Sequence, residues 1–345
     1  MGQNFTHLHV HSHFSLLDGL PKIDQLLDYV KELGMDAVAL TDHGNVYGAV
    51  EFYKKARERG IKPIIGCEMY QSLEKMTDKR PNVDDRRYHL VLLVKDKKGY
   101  KNLVKLLTLA HLEGFYYKPR IDEELLAKHS EGLICLSACQ VGKIPSLILA
   151  KKMAEAEKTA LLYQEIFGQG NFYLELQHHP HSPQQKAVNE GLISIAKKHN
   201  LPLVATNDIH YLKPDDADAQ DILMLINTGA DPNDPERLTL KADDFSMRTP
   251  EQMRNDFKEV PEAIENTQKI KTQRQQIHFF ELRNLILIRD IDEQTDVNRT
   301  QKSKLVGEIQ PNLSRLTSKK LFGLKIFSKF TQPINCLMLV FVDKA

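Results

Sequence analysis

Phe5-Thr6-His7-Leu8-His9-Val10-His11-Ser12-His13 puts four of the chain's 14 histidines into seven consecutive positions and separates them with apolar or small residues. Alternate side chains of an extended strand share a face, so this spacing predicts a strand over Phe5 to Val10 whose imidazoles all point one way. Imidazoles converging in that manner suit a first-row transition metal. A lone histidine is ordinarily a satisfied core or surface residue. Four at period two are not lone.

Working outward, short apolar or β-branched runs alternate with longer stretches at helical period as far as residue 210, the signature of βα units. Strands are expected at Phe5 to Val10, Ala37 to Leu40, Ile61 to Ile65, Leu90 to Val94, Leu133 to Ser137, Phe172 to Leu176 and Leu203 to Thr206. Helices are expected at Ile23 to Leu33, Val46 to Arg59, Tyr100 to Leu112, Lys151 to Phe167 and Gln184 to His199. Strands with helical crossovers argue for a parallel barrel or a doubly wound sheet. The rhythm then turns helical: Ala217 to Ile226, and a segment opened by Thr249, Pro250 and Gln252, which fit N-cap, N1 and N3 of a capping box.

Composition narrows the classes. Of 345 residues, 41% are hydrophobic and 27% charged, as in an ordinary globular chain. A formal charge of +1 gives no global electrostatic argument for nucleic acid or membrane. Four cysteines without CxxC spacing do not form a disulfide framework, and there is neither a signal peptide nor an apolar run of spanning length. A cytoplasmic protein with no membrane partner is expected. Three regions are expected: a barrel over 1–212, a helical extension over 213–270, and a basic tail over 271–345. The tail carries a net charge of +6 against −5 for the rest.

Further metal-competent residues recur where the expected strands stop. Thr41-Asp42-His43-Gly44 follows the second, Gly66-Cys67-Glu68 the third, Ser137-Ala138-Cys139 the fifth and Thr206-Asn207-Asp208-Ile209-His210 the seventh. In a βα barrel those ends lie on one face, where active sites are built. Asp18-Gly19 can return a carboxylate to the same place. His89 breaks the rule, because it begins its strand. Taken singly, each carboxylate reads as a solvated loop charge, and the argument rests on their positions together. Imidazoles, carboxylates and one thiolate suit Zn, Mn or Fe better than Ca, in numbers exceeding what one zinc uses. Clustered divalent ions activate water and neutralise charge on the attacking and leaving oxygens of a phosphate, so phosphoester hydrolysis is the natural chemistry.

His9-Val10-His11-Ser12, Asp18-Gly19, Thr41-Asp42-His43-Gly44, Gly66-Cys67-Glu68 and Asp208-Ile209-His210 resemble the motifs of the polymerase and histidinol phosphatase (PHP) superfamily. Tyr88-His-Leu-Val-Leu-Leu93, Gly99-Tyr-Lys-Asn-Leu103, Leu136-Ser-Ala-Cys139 and Ala205-Thr-Asn-Asp-Ile-His-Tyr-Leu212 narrow the likeness to the PHP domain of bacterial DNA polymerase III alpha subunits. The resemblance covers about residues 3–270. It implies a distorted (β/α)7 barrel with a trinuclear metal site, its three divalent ions being Zn, Mn or Fe. It implies metal ligation by His9, His11, Asp18, His43, Glu68, His89, Cys139, Asp208 and His210. His9, His11, Glu68 and Asp208 would take one ion, Glu68 with His89 and Cys139 a second, and Asp18, His43 and His210 a third, with the chemistry centred on Glu68, Asp208 and His210. His7 and His13 fall outside that pattern. Asp42 reads as an orienting group, and His178, His179 and His181 as solvated loop residues.

The resemblance further implies 3′–5′ exonuclease activity on DNA ends, with primer termini and other replicative polymerase subunits as partners. That family continues into palm, thumb and fingers, whereas nothing after Ile270 resembles them, so no polymerase activity is expected of this chain alone. Two other functions compete: a free-standing phosphatase of small phosphomonoesters, of histidinol-phosphatase type, and a non-catalytic docking module stabilised by metal. Preferred turnover of a small phosphate would mark the first. The second would lose thermal stability on ligand substitution without having any catalysis to lose.

Overall fold

A computed structural model describes residues 5–273, which lie in a compact unit, Met1–Ile277. The expected tail falls outside the described residues beyond Gln273, as does a second unit, His278–Ala345.

Six of the seven expected strands form ladders, and an unforeseen hairpin is added. In chain order they are β1 (Ala37–Leu40), β2 (Lys62–Gln71), β3 (Tyr88–Val94), β4 (Phe115–Tyr116), β5 (Lys118–Ile121), β6 (Leu133–Leu136), β7 (Phe172–Gln177) and β8 (Leu203–Thr206). Phe5 to Val10 is the exception. It makes only an isolated parallel bridge, Val10 to Ile209. Two of its amides go to side chains instead of a neighbouring strand, Thr6 N to Thr267 Oγ1 and Val10 N to Thr41 Oγ1, so no regular ladder develops. The segment nevertheless closes the sheet. Ala39 N donates to His7 O and Thr41 N to Val10 O on one side, while on the other His11 N donates to Ile209 O and Ile209 N to His9 O.

The closed ring therefore runs from this segment through β1, β2, β3, β6, β7 and β8 and back to Ile209. β1–β2, β6–β7 and β7–β8 are parallel, but β3 is antiparallel to both β2 and β6. The all-parallel expectation fails at that strand for a physical reason. A parallel pair needs a crossover, usually a helix, and residues 72–87 between β2 and β3 contain only turns and irregular chain. Arg120, fully buried, clamps this connection by donating to the carbonyls of Met76, Asp78 and Asp84 as well as Gly114.

The helices are α1 (Ile23–Glu32), α2 (Ala49–Glu58), α3 (Lys97–Leu112), α4 (Glu123–Lys128), α5 (Lys143–Leu149), α6 (Met153–Phe167), α7 (Pro183–His199), α8 (Ala217–Thr228), α9 (Pro250–Asp256) and α10 (Pro261–Gln273). α1 buries Ile23, Leu26, Leu27 and Val30, the i, i+3, i+4, i+7 face of an amphipathic helix. Side-chain caps start several others: Asp96 accepts from Gly99 N, Asp122 from Leu125 N, and Ser182 from Gln185 N ahead of Pro183. Thr249 and Gln252 form the predicted reciprocal capping box of α9. The interior is filled by Leu8, Ala39, Ile64, Val91, Leu93, Ile134, Leu136, Tyr173 and Val204 from around the ring, together with Ile270 of α10. α10 thus seals the barrel, and Asn266 fixes it by donating to Leu203 O at 2.7 Å.

Candidate metal centre

The irregular first segment, the loop after it and the ends of β1, β6 and β8 deliver side chains to one end of the ring, and Glu68 joins them from within β2, which runs past the expected end at Ile65 to Gln71. β3 delivers from its beginning. Because β3 runs antiparallel, its register sets His89 opposite Tyr70 and Val91 opposite Glu68, so the first turn of β3 lies beside the last turn of β2. His89, which strand-end logic left unexplained, arrives by this reversal.

Glu68, 1% exposed, stands at the middle. Its Oε2 lies 3.3 Å from His9 Nε2, 3.2 Å from His11 Nε2 and 2.9 Å from His43 Nδ1. Its Oε1 lies 3.0 Å from His89 Nδ1 and 3.9 Å from Cys139 Sγ, and the thiol is 3.7 Å from His89 Nδ1. Asp208 Oδ1 is 3.2 Å from His9 Nε2, 3.3 Å from His11 Nε2 and 3.7 Å from His210 Nδ1. Asp18 Oδ2 completes the set, 3.0 Å from His43 Nε2 and 3.4 Å from His210 Nε2. All nine residues singled out from the sequence are therefore brought into one pocket. Three subsets have donor atoms mutually within 4.8 Å: His9, His11, Glu68 and Asp208; His43, Glu68 and His89; and His11, His43 and His210. The first coincides with the grouping the resemblance implied. The other two share out His43 and His11 differently, with Cys139 and Asp18 at their edges.

Backbone strain concentrates in the delivering loops. Leu17, ahead of Asp18, has φ 59°, Ala138, ahead of Cys139, has φ 62°, and Asp208 itself has φ 49°. Non-glycine residues rarely adopt these values, and where they do the surroundings must impose them. Gly44 (φ 59°) supplies the same turn after His43, and a Cβ on Gly19 would lie 2.3 Å from Ser12 O, so only glycine lets Asp18 fold back.

Second partners fix the imidazoles. His9 Nδ1 is held by Glu175 Oε1 at 2.7 Å, which also accepts from Thr206 Oγ1. His11 Nδ1 meets Ser15 Oγ at 2.8 Å, and Ser15 in turn donates to Asp42. His210 Nδ1 donates to Asp208 O. The Asp42 carboxylate bonds to no member of the cluster and instead accepts from Ser12 N, Ser12 Oγ and Ser15 Oγ, while its carbonyl accepts from Glu68 N. Glu175 and Thr206 were not singled out from the sequence. The signal was a carboxylate inside the apolar run Phe172-Tyr-Leu-Glu-Leu-Gln177, a residue type almost never fully buried without a partner.

Two sequence expectations are corrected here. The four histidines do not share one face. His7 Nε2 turns to Arg248 O and His13 Nδ1 to Pro21 O, because without a regular ladder the period of two is not kept. His179 is not solvated. It is 4% exposed and stacks on Phe245 at 4.1 Å, and burial lowers its pKa to about 4.

Electrostatics explain what the cluster wants. Burial opposes charge on His9, yet Asp208, Glu175 and Glu68 outweigh it and hold its pKa well above the usual value. Burial likewise opposes charge on His210, but Asp18 and Asp208 raise it to about 9. Burial would raise Glu68, and His89, His9 and His43 instead push it well below the carboxylate range. His9 Nε2, His11 Nε2, His43 Nδ1 and Asp208 Oδ1 are all buried without a hydrogen-bond partner, aimed at one another. Such orphaned atoms are costly in a dry interior, and cations among them satisfy every one. The donor set fits divalent metal.

The family model for the PHP domain matches residues 7–179, just over half of the chain. The chain belongs to the PHP domain family. Curated relatives of this PHP chain include the DNA polymerase III subunit alpha of Borreliella burgdorferi, 48% identical over 267 residues, and that of Treponema pallidum, 46% identical over 268. Each alignment takes in 77% of this chain and 23% of the relative, so the chain spans under a quarter of their length. Among solved structures, a protein described as a metal-dependent phosphoesterase from Bifidobacterium adolescentis aligns over 79% of the PHP chain and 98% of its own, at 14% identity and a TM-score of 0.42. Among the described residues no helix is long and apolar enough to cross a membrane.

Two expectations follow for the PHP centre. Glu175→Gln keeps the shape of the group on His9 Nδ1 but removes its charge, and should weaken divalent-metal affinity by about 10- to 100-fold, read by competition with a metal-sensitive dye. The raised pKa values mean that the metal-free cluster carries protons on His9, His43 and His210 at neutral pH. Metal must displace them. Affinity should rise with pH from 7 towards 9, by about tenfold per unit for each proton displaced, with matching acid release in weakly buffered titrations.

Proposed function

We propose that this PHP chain hydrolyses phosphodiester bonds at DNA 3′ ends and acts within a replicative polymerase of the DNA polymerase III alpha type. The observation that carries the proposal is the gathering of five imidazoles, two further carboxylates and a thiol around buried Glu68. His9, His11, Glu68 and Asp208 would hold one ion, with Glu68, His89, Cys139, His43, Asp18 and His210 holding two more. Zn, Mn and Fe all suit these donors. Bound there, such ions supply Lewis acidity and neutralise charge on the scissile phosphate.

The chain's own residues do the rest. Glu175 and Ser15 set which ring nitrogen of His9 and His11 faces the pocket. Burial of Glu68 and Asp208 keeps bulk water from competing for their oxygens. Donation from His210 Nδ1 to Asp208 O turns His210 Nε2 toward Asp18 Oδ2, so that these two residues face one ion position together. Docking to other replicative subunits belongs to the same proposal and draws its support from the relatives.

A single-turnover assay tests it. Full-length protein loaded with Mn or Zn, given a primer with a mismatched 3′ terminus, should release the terminal nucleotide, and chelation should stop it. Preferred turnover of a small phosphomonoester would replace the substrate with one of the histidinol phosphate kind. A loaded protein that melts higher but hydrolyses neither would make the centre a structural one.

A further inference from the structure

Tyr70 joins the metal centre to a second group of charges. Its ring stacks on His43 with centroids 5.5 Å apart and meets His89 edge-on at 5.4 Å. The same ring carries two cations, the Arg87 guanidinium at 5.3 Å and Lys118 Nζ at 5.7 Å. Both residues are half-buried. Among the described residues neither forms an ion pair with a carboxylate: Arg87 Nη1 donates to Asp85 O, its Nε is buried without a hydrogen-bond partner, and the Lys118 ammonium lies over the ring. Elsewhere the chain pairs such groups, Lys55 with Asp24 and Glu51, Lys143 with Glu123 and Arg237 with Asp221. Two partly desolvated cations over one ring repel each other, and the Asp18 carboxylate offsets Lys118 only from beyond ion-pair distance. The missing charge is an anion.

What the anion is attached to follows from the next residue. Lys118 opens β5, and β4 and β5 pair Tyr116 with Lys118 and Phe115 with Pro119, which leaves Tyr117 at the hairpin tip. Tyr117 is 68% exposed and is held at φ 58°, a conformation that a bulky residue seldom adopts. Phe115 beside it is also exposed. An aromatic face next to a cation pair is the combination that single-stranded nucleic acid needs: phosphate contacts along the backbone and a ring for an unstacked base. A small phosphate could use the cations but not the ring. A paired end could offer no free base.

We propose that Arg87 and Lys118 grip a backbone phosphate of a single strand while Tyr117 stacks on a base, so that an unpaired end is led across Tyr70 to the metal centre. Cleavage of that strand rests on the function proposed above, whereas the grip does not.

The test is binding by the full chain with metal removed by a chelator. The probes are a fluorescent thymidine oligonucleotide and a blunt duplex, between 50 and 200 mM salt. Wild type should prefer the single strand. The double variant Arg87→Gln, Lys118→Gln should lose about tenfold or more in affinity and flatten the log–log salt slope by about 0.7, one single-strand phosphate. Tyr117→Asn, comfortable at positive φ, should lose about tenfold with the slope unchanged. Lys198→Gln, which removes an exposed charge paired with Glu157 on the outer helices, should change neither. Melting temperatures identify any variant that has lost its fold. In the metal-loaded protein the double variant should raise KM for an oligonucleotide more than it lowers kcat. Variants that bind like wild type with its salt slope, or a wild type that prefers duplex, overturn the inference. If wild type binds single strands and the variants do not, yet no metal restores hydrolysis, the grip stands and the hydrolase falls. Hydrolysis by wild type with unaltered binding in the variants does the reverse.

Discussion

Glu68→Gln should strip divalent metal from the chain and lower phosphodiester hydrolysis by about 10³-fold or more. One carboxylate faces four imidazoles and a thiol, with His9, His11, His43 and His89 all within 3.3 Å of its two oxygens. The amide has the same shape but no charge, and one of its two heavy atoms is a donor pointing at donors. Losing the several kcal/mol of charge stabilisation that metal supplies corresponds to about three decades in rate. Stability should fall as well, because the imidazolium charges in the metal-free protein lose the anion that balances them. Metal content by mass spectrometry, a hydrolysis assay and a melting curve read all three, and a variant that keeps its metal would refute the central place given to Glu68.

Arg120→Met should be the most damaging substitution away from the centre, destabilising by about 3 kcal/mol and lowering the melting temperature by about 6–12 °C. The guanidinium is fully buried and spends its donors on the carbonyls of Gly114, Asp84, Met76 and Asp78. The last three lie in the helix-free connection that lets β3 run backwards. Methionine fills part of the volume but leaves the carbonyls unpaired. Amide exchange should quicken first in residues 72–87, and His89 should lose its fixed position over Glu68. An unchanged melting temperature would show that the connection is held by something else.

The two substitutions bear on what a sequence can and cannot disclose. Metal-competent residues at His43, Glu68, Cys139, Asp208 and His210 stood out because types that usually occur singly were crowded at the ends of apolar runs, the family resemblance completed the set of nine, and the structure brings all nine to one pocket. Period two marked His7, His9, His11 and His13 alike, and only the resemblance separated His9 and His11 from the other two. His89 was not marked by spacing, since its place depends on the direction of β3, and direction is set by the absence of a helix between residues 71 and 88. The first strand was overread for a related reason: its amides Thr6 N and Val10 N go to the hydroxyls of Thr267 and Thr41, and partners so distant in sequence leave no local pattern. α4 and α5, of six and seven residues, are too short for a period to show. His179 looked like a loop residue between polar neighbours, yet Phe245 covers it from 66 positions away. Local chemistry was legible, and long-range pairing was not.

The most direct measurement is an anomalous-difference map from crystals of the full chain grown with Mn or Zn. Peaks should lie between His9, His11, Glu68 and Asp208, with further peaks bounded by Glu68, His43, His89 and Cys139 and by Asp18, His43 and His210. Ions bound only elsewhere, or none at saturating metal with these nine side chains in their present positions, would contradict the account.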